Sequence, residues 1–271
     1  MVARDEGLGV ALEEIAGRNR GYGHRFAWAF LRRRGDRVNR KRVRRVWRAL
    51  GLSVRKKKRR KIRTGQERVL APTGPNQVWA YDFVHDACGN GQKLKALTII
   101  DEWTGECLAI EVGGSVRAER VIAVLEGLFE KHGAPAVLRS DNGPEFIASA
   151  LRIWALMKHS ETATIEPGKP WQNGSVESFN GTFRSECLDR EWFSNLREAK
   201  IVIEQWRWEY NTQRPHSSLG YRTPSEAAAE ARIRGIPGSG VAEIVALEAS
   251  QEVGLMRSNI EVHPITTECL S

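Results

Sequence analysis

Residues 77–112 read QVWAYDFVHDACGNGQKLKALTIIDEWTGECLAIEV, and the spacing of the apolar runs in this stretch decides the architecture. Three such runs lie close together, at 77–83, 95–103 and 106–112. A Gly-rich turn at 88–92 joins the first two, and Thr104-Gly105 joins the last two. Short runs rich in β-branched and aromatic residues, bounded by turn formers, predict strands, and such short connections predict an antiparallel meander. Within the first run, Trp79-Ala80-Tyr81-Asp82-Phe83 places a carboxylate among aromatic neighbours. A buried charge there is costly unless a partner or a metal neutralises it.

Working towards the C-terminus, the pattern becomes an alternation of helix and strand. Residues 117–132 form an amphipathic helix with Val121, Val124, Leu125 and Leu128 on one side, 136–140 a short buried strand, and 146–158 a second helix. A fifth strand is expected at 161–165. A polar loop at 167–173 then leads into a helix at 174–188. A last long helix, 196–211, starts after Asn195 with Glu198 three residues on, a capping-box spacing, and its Trp206, Trp208 and Tyr210 read as packing residues. A meander followed by strand-helix alternation predicts an α/β fold: a mixed five-stranded sheet flanked by helices, as in the ribonuclease H-like fold.

Towards the N-terminus, three short helical patterns span 8–18, 22–33 and 40–50, punctuated by Gly21 and Gly35. In the third, Asn39 is suited to the N-cap and Gly51 to the C-cap, and Val43, Val46, Trp47 and Leu50 share one face. Arg40, Lys41, Arg44, Arg45 and Arg48 form the opposite face. A short helix, a Gly-Asp turn and a basic amphipathic helix match the helix-turn-helix plan, whose second helix lies in the DNA major groove. Residues 55–63 are basic at every position except Ile62 and read as a phosphate-gripping linker. The expected division is a small all-α helix-turn-helix domain at 1–52, a basic linker at 53–71, a catalytic core at 72–230 and a tail of unassigned role at 231–271.

Charge follows the same division. Residues 1–70 hold 23 Lys and Arg against 6 Asp and Glu, a local charge of +17, so the rest of the chain carries −8 of the +9 total. A basic module suits a polyanion, and acidic residues gathered in a core suit a cation. No apolar run approaches the roughly 18 residues of a membrane span, and residues 1–20 carry too many charges for a secretory signal, so the expected location is cytoplasmic and nucleoid-associated. Cys88, Cys107, Cys187 and Cys269 show no zinc spacing and read as reduced, non-ligating thiols.

Three acids stand where a sheet-and-helix sandwich would gather them. Asp82 lies inside a strand; Asp141 ends another in Leu138-Arg139-Ser140-Asp141-Asn142-Gly143; Glu177 opens a helix, with 35 residues between it and Asp141. Taken singly, Asp141 could be a turn residue and Glu177 a helix-dipole acid. Together they are hard oxygen ligands suited to Mg²⁺ or Mn²⁺, and two ions about 4 Å apart could serve an in-line phosphoryl displacement. Asn180 and Arg184, at i+3 and i+7 from Glu177, share its face and are placed to reach the DNA backbone. His85, Asp86, Asp101, Glu145 and His216 carry less weight.

The chain resembles the second-reading-frame (OrfB) transposases of the IS-three group of insertion sequences, relatives of retroviral integrases. The resemblance rests on Trp79-x-x-Asp82-Phe83, Ser140-Asp141-Asn142-Gly143-x-Glu145-Phe146, and Gln172-Asn173-Gly174-x-x-Glu177-Ser178-Phe179. It extends through Tyr210-Asn211-x-x-Arg214-Pro215-His216-x-x-Leu219-Gly220-Tyr221-x-Thr223-Pro224 and includes Tyr22-Gly23-His24-Arg25. It implies that Asp82, Asp141 and Glu177 are the catalytic and metal-binding DDE triad. Arg184 would be the basic residue one helical repeat later. Lys169, Gln172 and Asn173, by their place in the loop before Glu177, are expected to contact the DNA end.

The expected function is metal-dependent 3′-end cleavage of an insertion-sequence end and strand transfer. The expected partners are double-stranded DNA (transposon ends and target), an upstream-frame product or fusion, and further copies of the chain in a synaptic complex. Two rivals stand beside this: a repressor that binds DNA without cutting it, and a ribonuclease H-like nuclease acting on RNA-DNA hybrids.

Overall fold

The computed structural model describes residues 5–18, 21–53, 71–140, 154–158, 160–164 and 174–236. The expected basic linker at 55–63, Asp141, Glu145, Lys169, Gln172, Asn173, Cys269 and the tail beyond 236 lie outside the described residues.

The N-terminal helices are α1 (Glu6–Arg18), α2 (His24–Arg33) and α3 (Arg40–Ala49). Their core is Leu12 and Ile15 from α1, Ala27 and Leu31 from α2, and Val43, Val46 and Trp47 from α3. Asn39 caps α3 by accepting a hydrogen bond from the Lys41 N–H at 2.8 Å. At the other end Gly51 has φ +70°. The Leu52 N–H reaches the Trp47 carbonyl and the Gly51 N–H the Arg48 carbonyl. This pair of bonds needs a left-handed residue, which is why glycine stands there.

The core is built on strands β1 (Val78–Ala87), β2 (Lys93–Asp101), β3 (Cys107–Gly113), β4 (Val137–Ser140) and β5 (Glu161–Thr164), in the spatial order β3-β2-β1-β4-β5. The meander is antiparallel, while β1–β4 and β4–β5 are parallel, so the sheet is mixed. Strand β1 runs four residues past the expected end at Phe83. Its hairpin register with β2 continues from Asp82↔Thr98 to Ala87↔Lys93, so pairing carries the polar His85-Asp86 segment along.

Alternation along the strands sorts side chains onto two layers. Trp79, Tyr81, Leu97 and Ile99 pack against α4 (Ala118–His132) and a helical turn α5 (residues 154–157). Ala80, Val84, Ala96 and Ile100 pack on the other face against α6 (Gly174–Phe183), the π-helical turn Arg184–Leu188 and α7 (Leu196–Thr212). Trp206 and Tyr210 join this layer. Trp208, expected to pack, is 49% exposed, because two residues of helix carry it to the opposite side.

Strand β3 bulges where Ile99 pairs with Ala109 and Ile100 with Cys107. Residues of α7 satisfy the displaced backbone: Asn211 accepts from the Cys107 N–H and donates to its carbonyl, and Arg207 donates to the carbonyls of Cys107 and Leu108. The chain ends its described course in a 3₁₀ turn at Ser217–Leu219 and helix α8 (Pro224–Ile233). Thr223 and Glu226 form a capping box, with Pro224 in the first turn of α8. Among the described residues no helix is long and apolar enough to cross a membrane.

Candidate active site

Asp82 belongs to the even-numbered residues of β1, so it faces the α6 layer together with Ala80 and Val84. Its backbone partner across the hairpin is Thr98, a fully buried hydroxyl in an otherwise apolar run. Directly above lies α6, held down on the sheet by Val176, Phe179 and Phe183. Glu177 sits in its first turn, exposed, and Asn180 follows one turn later on the same side.

A chain of hydrogen bonds ties strand to helix. The Thr98 hydroxyl donates to Asn180 Oδ1 at 2.9 Å, which orients the amide so that Nδ2 donates to Asp82 Oδ2 at 2.8 Å. The other oxygen, Oδ1, accepts the Phe83 N–H at 2.7 Å. The half-buried carboxylate is thereby fixed in position, which answers the cost of placing a charge beside Ala80 and Val84 under α6, on the face opposite Trp79, Tyr81 and Phe83. Glu177 has no hydrogen bond or ion pair among the described residues.

Asn180 and Arg184 thus have partners within the chain. Arg184 donates to the His85 carbonyl at 2.8 Å and lies 3.6 Å from Asp86, bracing the end of β1 against the helix. Strand β4 ends at Ser140, one residue before Asp141, with Arg139 paired to Ala80. Arg139 itself makes a buried bidentate contact with Glu102 at 2.8 and 3.0 Å. Among the described residues no three His, Cys, Asp or Glu gather at one point; Asp141 is not among them.

The lesser candidates resolve individually. Asp101 accepts from the N–H groups of Asn76, Trp103 and Thr104 and from the Thr104 hydroxyl, so it organises the β2–β3 turn, and burial raises its pKa. His216 is buried with its ring edge-on to Tyr210, and burial lowers its pKa to about 3. Sequence reasoning does not single out Thr98, since a lone hydroxyl inside Leu97-Thr98-Ile99-Ile100 is a weak signal for a site residue. The Glu102 partner of Arg139 had none, since Asp101-Glu102 reads as an ordinary strand end.

On α3, Arg40, Lys41, Arg44 and Arg48 are exposed and without ion-pair partners among the described residues, whereas Arg45 shares Asp5 with Arg42, each contact 2.8 Å long. The hydrogen bond from Arg42 holds the Asp5 carboxyl below its usual range. His24, at the start of α2, is lowered by burial and then by Arg44, Arg25, Arg48 and Arg40, so these cations converge on one surface.

Residues 72–170 match the integrase core domain family, residues 158–224 match a second family of that description, and residues 3–61 match the HTH-like domain family. The chain is 42% identical over 229 residues to an insertion element IS407 protein of 31.7 kDa from Burkholderia multivorans, covering 84% of this chain and 83% of that one. It is 29% identical over 253 residues to the transposase InsD of an IS2 element from Escherichia coli, covering 87% and 82%. A chain of the simian T-cell lymphotropic virus intasome, solved in complex with the PP2A regulatory subunit B56 gamma, shares the fold with a TM-score of 0.50 at 15% identity, over 71% of this chain and 67% of that one.

A ribonuclease H-like integrase core with an HTH-like unit ahead of it defines a DNA-binding polynucleotidyl transferase. The chain belongs to the insertion-sequence transposases of the IS-three group, second-reading-frame type.

Proposed function

We propose that this transposase cuts the 3′ ends of its insertion sequence and joins them to target DNA in one site formed by Asp82, Asp141 and Glu177. The observation that carries the reading is the Asn180–Asp82 hydrogen bond, which brings the helix of Glu177 onto the strand of Asp82. The count from Ala80 to Asp82 equals that from its strand partner Arg139 to Asp141, and this supports Asp141 as the third member.

The donor set fits divalent cations. All three groups are hard carboxylate oxygens, suited to Mg²⁺ or Mn²⁺, and a site of this kind takes about two ions. Bound there, the ions supply Lewis-acid stabilisation of phosphoryl charge and activation of the attacking oxygen. The protein's own part is positional: Thr98 and Asn180 hold Asp82, Phe83 N–H restricts its rotation, and Glu177 stands exposed for the incoming phosphodiester.

Water displaces the 3′ oxygen at the element's end, and the freed 3′-hydroxyl then displaces the 3′ oxygen of a target phosphodiester. The second step exchanges one phosphodiester for another, so ATP is unnecessary. We assign residues 1–52 to end recognition through Arg40, Lys41, Arg44, Arg45 and Arg48, residues 53–71 to a basic linker, and 72–230 to catalysis. Lys169, Gln172, Asn173, Asn180 and Arg184 border the DNA end. A synaptic homo-oligomer and an upstream-frame product complete the assembly.

Mn²⁺-dependent cleavage and strand transfer on the element's own end test the reading. Wild type is expected to cut and join, and Glu177→Gln to bind the end without cutting it. Absence of metal-dependent chemistry in wild type, alone and with the upstream-frame product, overturns the assignment in favour of a repressor.

A further inference from the structure

The seam between the N-terminal helices and the core is held by a few specific contacts. Tyr22, just before α2, donates its hydroxyl to Glu186 Oε2 at 3.0 Å. Arg214 grips the same carboxylate in a two-pronged contact, Nε to Oε2 and Nη2 to Oε1, each 2.8 Å. Its guanidinium also lies 5.5, 5.1 and 5.6 Å from the ring centres of Tyr22, Phe26 and Tyr210. The side chains of Arg214 and Glu186 are only 14% and 12% exposed. Charge-assisted bonds shielded from water in this way are directional and strong.

Two outer contacts flank this cluster: Trp28 edge-on to Tyr221 at 5.6 Å, and Arg33 to Glu226 at 2.6 Å. Beside it the seam opens into a cleft of about 560 Å³ lined by residues of both units, among them Arg18, Phe30 and Trp206. A seam that is partly open takes its alignment from its few directional contacts rather than from continuous packing.

Glu186 occupies the π-helical turn that continues α6, the helix of Glu177, while Tyr22 leads directly into α2 of the DNA-reading unit. One largely shielded carboxylate therefore joins the reader to the helix that carries the proposed catalytic acid. We propose that Tyr22, Glu186 and Arg214 form a latch that acts as a ruler, setting the distance along DNA between the base pairs read at α3 and the phosphodiester cut at Glu177. These three are positioning residues for cleavage specificity, and the inference rests on the assignment of Glu177 made above.

The test uses the full chain with Tyr22→Phe, which deletes only the hydroxyl, and Arg214→Lys, which keeps the charge and loses the two-pronged grip. Hydroxyl-radical footprints on an end fragment are recorded in the Glu177→Gln background, where binding alone is read. Cut positions are mapped at nucleotide resolution with Mn²⁺ in the otherwise native chain.

With the latch intact, one footprint of fixed register covers the recognised sequence and the cut site. In both variants the protection over the recognised sequence stays and the protection over the cut site blurs. Misplaced cuts rise about tenfold relative to correct ones, the ratio expected for one lost charge-assisted hydrogen bond. Nicking of a plasmid lacking the end sequence stays at the wild-type level in Tyr22→Phe.

Unchanged footprints and cut positions in both variants overturn the ruler and leave the catalytic assignment standing. Blurred footprints with no metal-dependent cutting in wild type overturn the catalytic assignment, and with it the cut-site end of the ruler, and leave the latch as the contact that aligns the two units on DNA.

Discussion

At the scale of single residues, the site is a problem in holding one carboxylate still. Asp82 is fixed by Asn180, and Asn180 is fixed by Thr98, whose hydroxyl selects the amide orientation that presents N–H groups to the carboxylate. Replacing Asn180 by Ala leaves Asp82 with its Phe83 N–H and removes the link to α6. Groups that orient a metal ligand from behind typically contribute about 10–100-fold in affinity or activity. Asn180→Ala is therefore expected to lower cleavage by roughly that factor and to raise the Mn²⁺ concentration for half-maximal activity, whereas Thr98→Val does both more weakly. Cleavage titrated with Mn²⁺ checks it; loss of rate at unchanged metal demand would place Asn180 on the DNA and not behind Asp82. Asp82 stands out in the sequence because a charge between Tyr81 and Phe83 demands an explanation. Thr98 does not, because a hydroxyl within a strand is ordinary until a partner on a distant helix gives it a role.

At the scale of elements, α3 shows where pattern is sufficient and where it stops. Alternating apolar and basic positions, an Asn cap and a Gly terminus sufficed to place the helix and its buried face, and Val43, Val46 and Trp47 are indeed the buried residues. The same pattern could not distinguish one arginine from another. Asp5, far off in sequence, pairs with both Arg42 and Arg45, while Arg44 and Arg48 have no such partner among the described residues. Each phosphate contact contributes about 0.9 to the slope of log affinity against log salt. Arg44→Ala is expected to lower that slope by about 0.9 for end DNA, and Arg45→Ala by less, since its charge is already shared with Asp5. Band shifts between 50 and 200 mM salt, a range in which such slopes are readily resolved, measure both; equal slopes for the two variants would remove Asp5 from the account. The strand meander was equally readable from its turns. The extension of β1 beyond Phe83 was not, because hairpin pairing and not hydropathy sets its length.

At the scale of the whole molecule, the segment from Tyr210 to Pro224 fastens the units to one another. Asn211 covers the β3 bulge, Arg214 reaches the seam, Tyr221 meets Trp28, and Thr223 starts α8. No periodicity in this stretch announces such a role, because its contacts reach other elements, 104 residues away between Asn211 and Cys107 and 28 between Arg214 and Glu186. His216 lies at its centre, buried beside Arg214 and hydrogen-bonded to the Tyr210 backbone. Burial first, then the Arg214 charge, lowers its pKa from 6.5 to about 3, so the folded chain keeps this imidazole neutral. The unfolded chain protonates it near pH 6.5. Between the two values the unfolded state binds a proton that the folded state refuses, so stability is full above about pH 6.5 and falls as the pH drops through this window. One such group contributes a slope of about 1.4 kcal/mol per pH unit. Urea unfolding of wild type and His216→Gln from pH 7 to pH 4 isolates it from the carboxylates, which titrate alike in both proteins. The variant is expected to be less stable at pH 7 and to lose stability with a slope shallower by about 1.4 kcal/mol per unit, whereas parallel curves would mean that the folded protein admits the proton at His216.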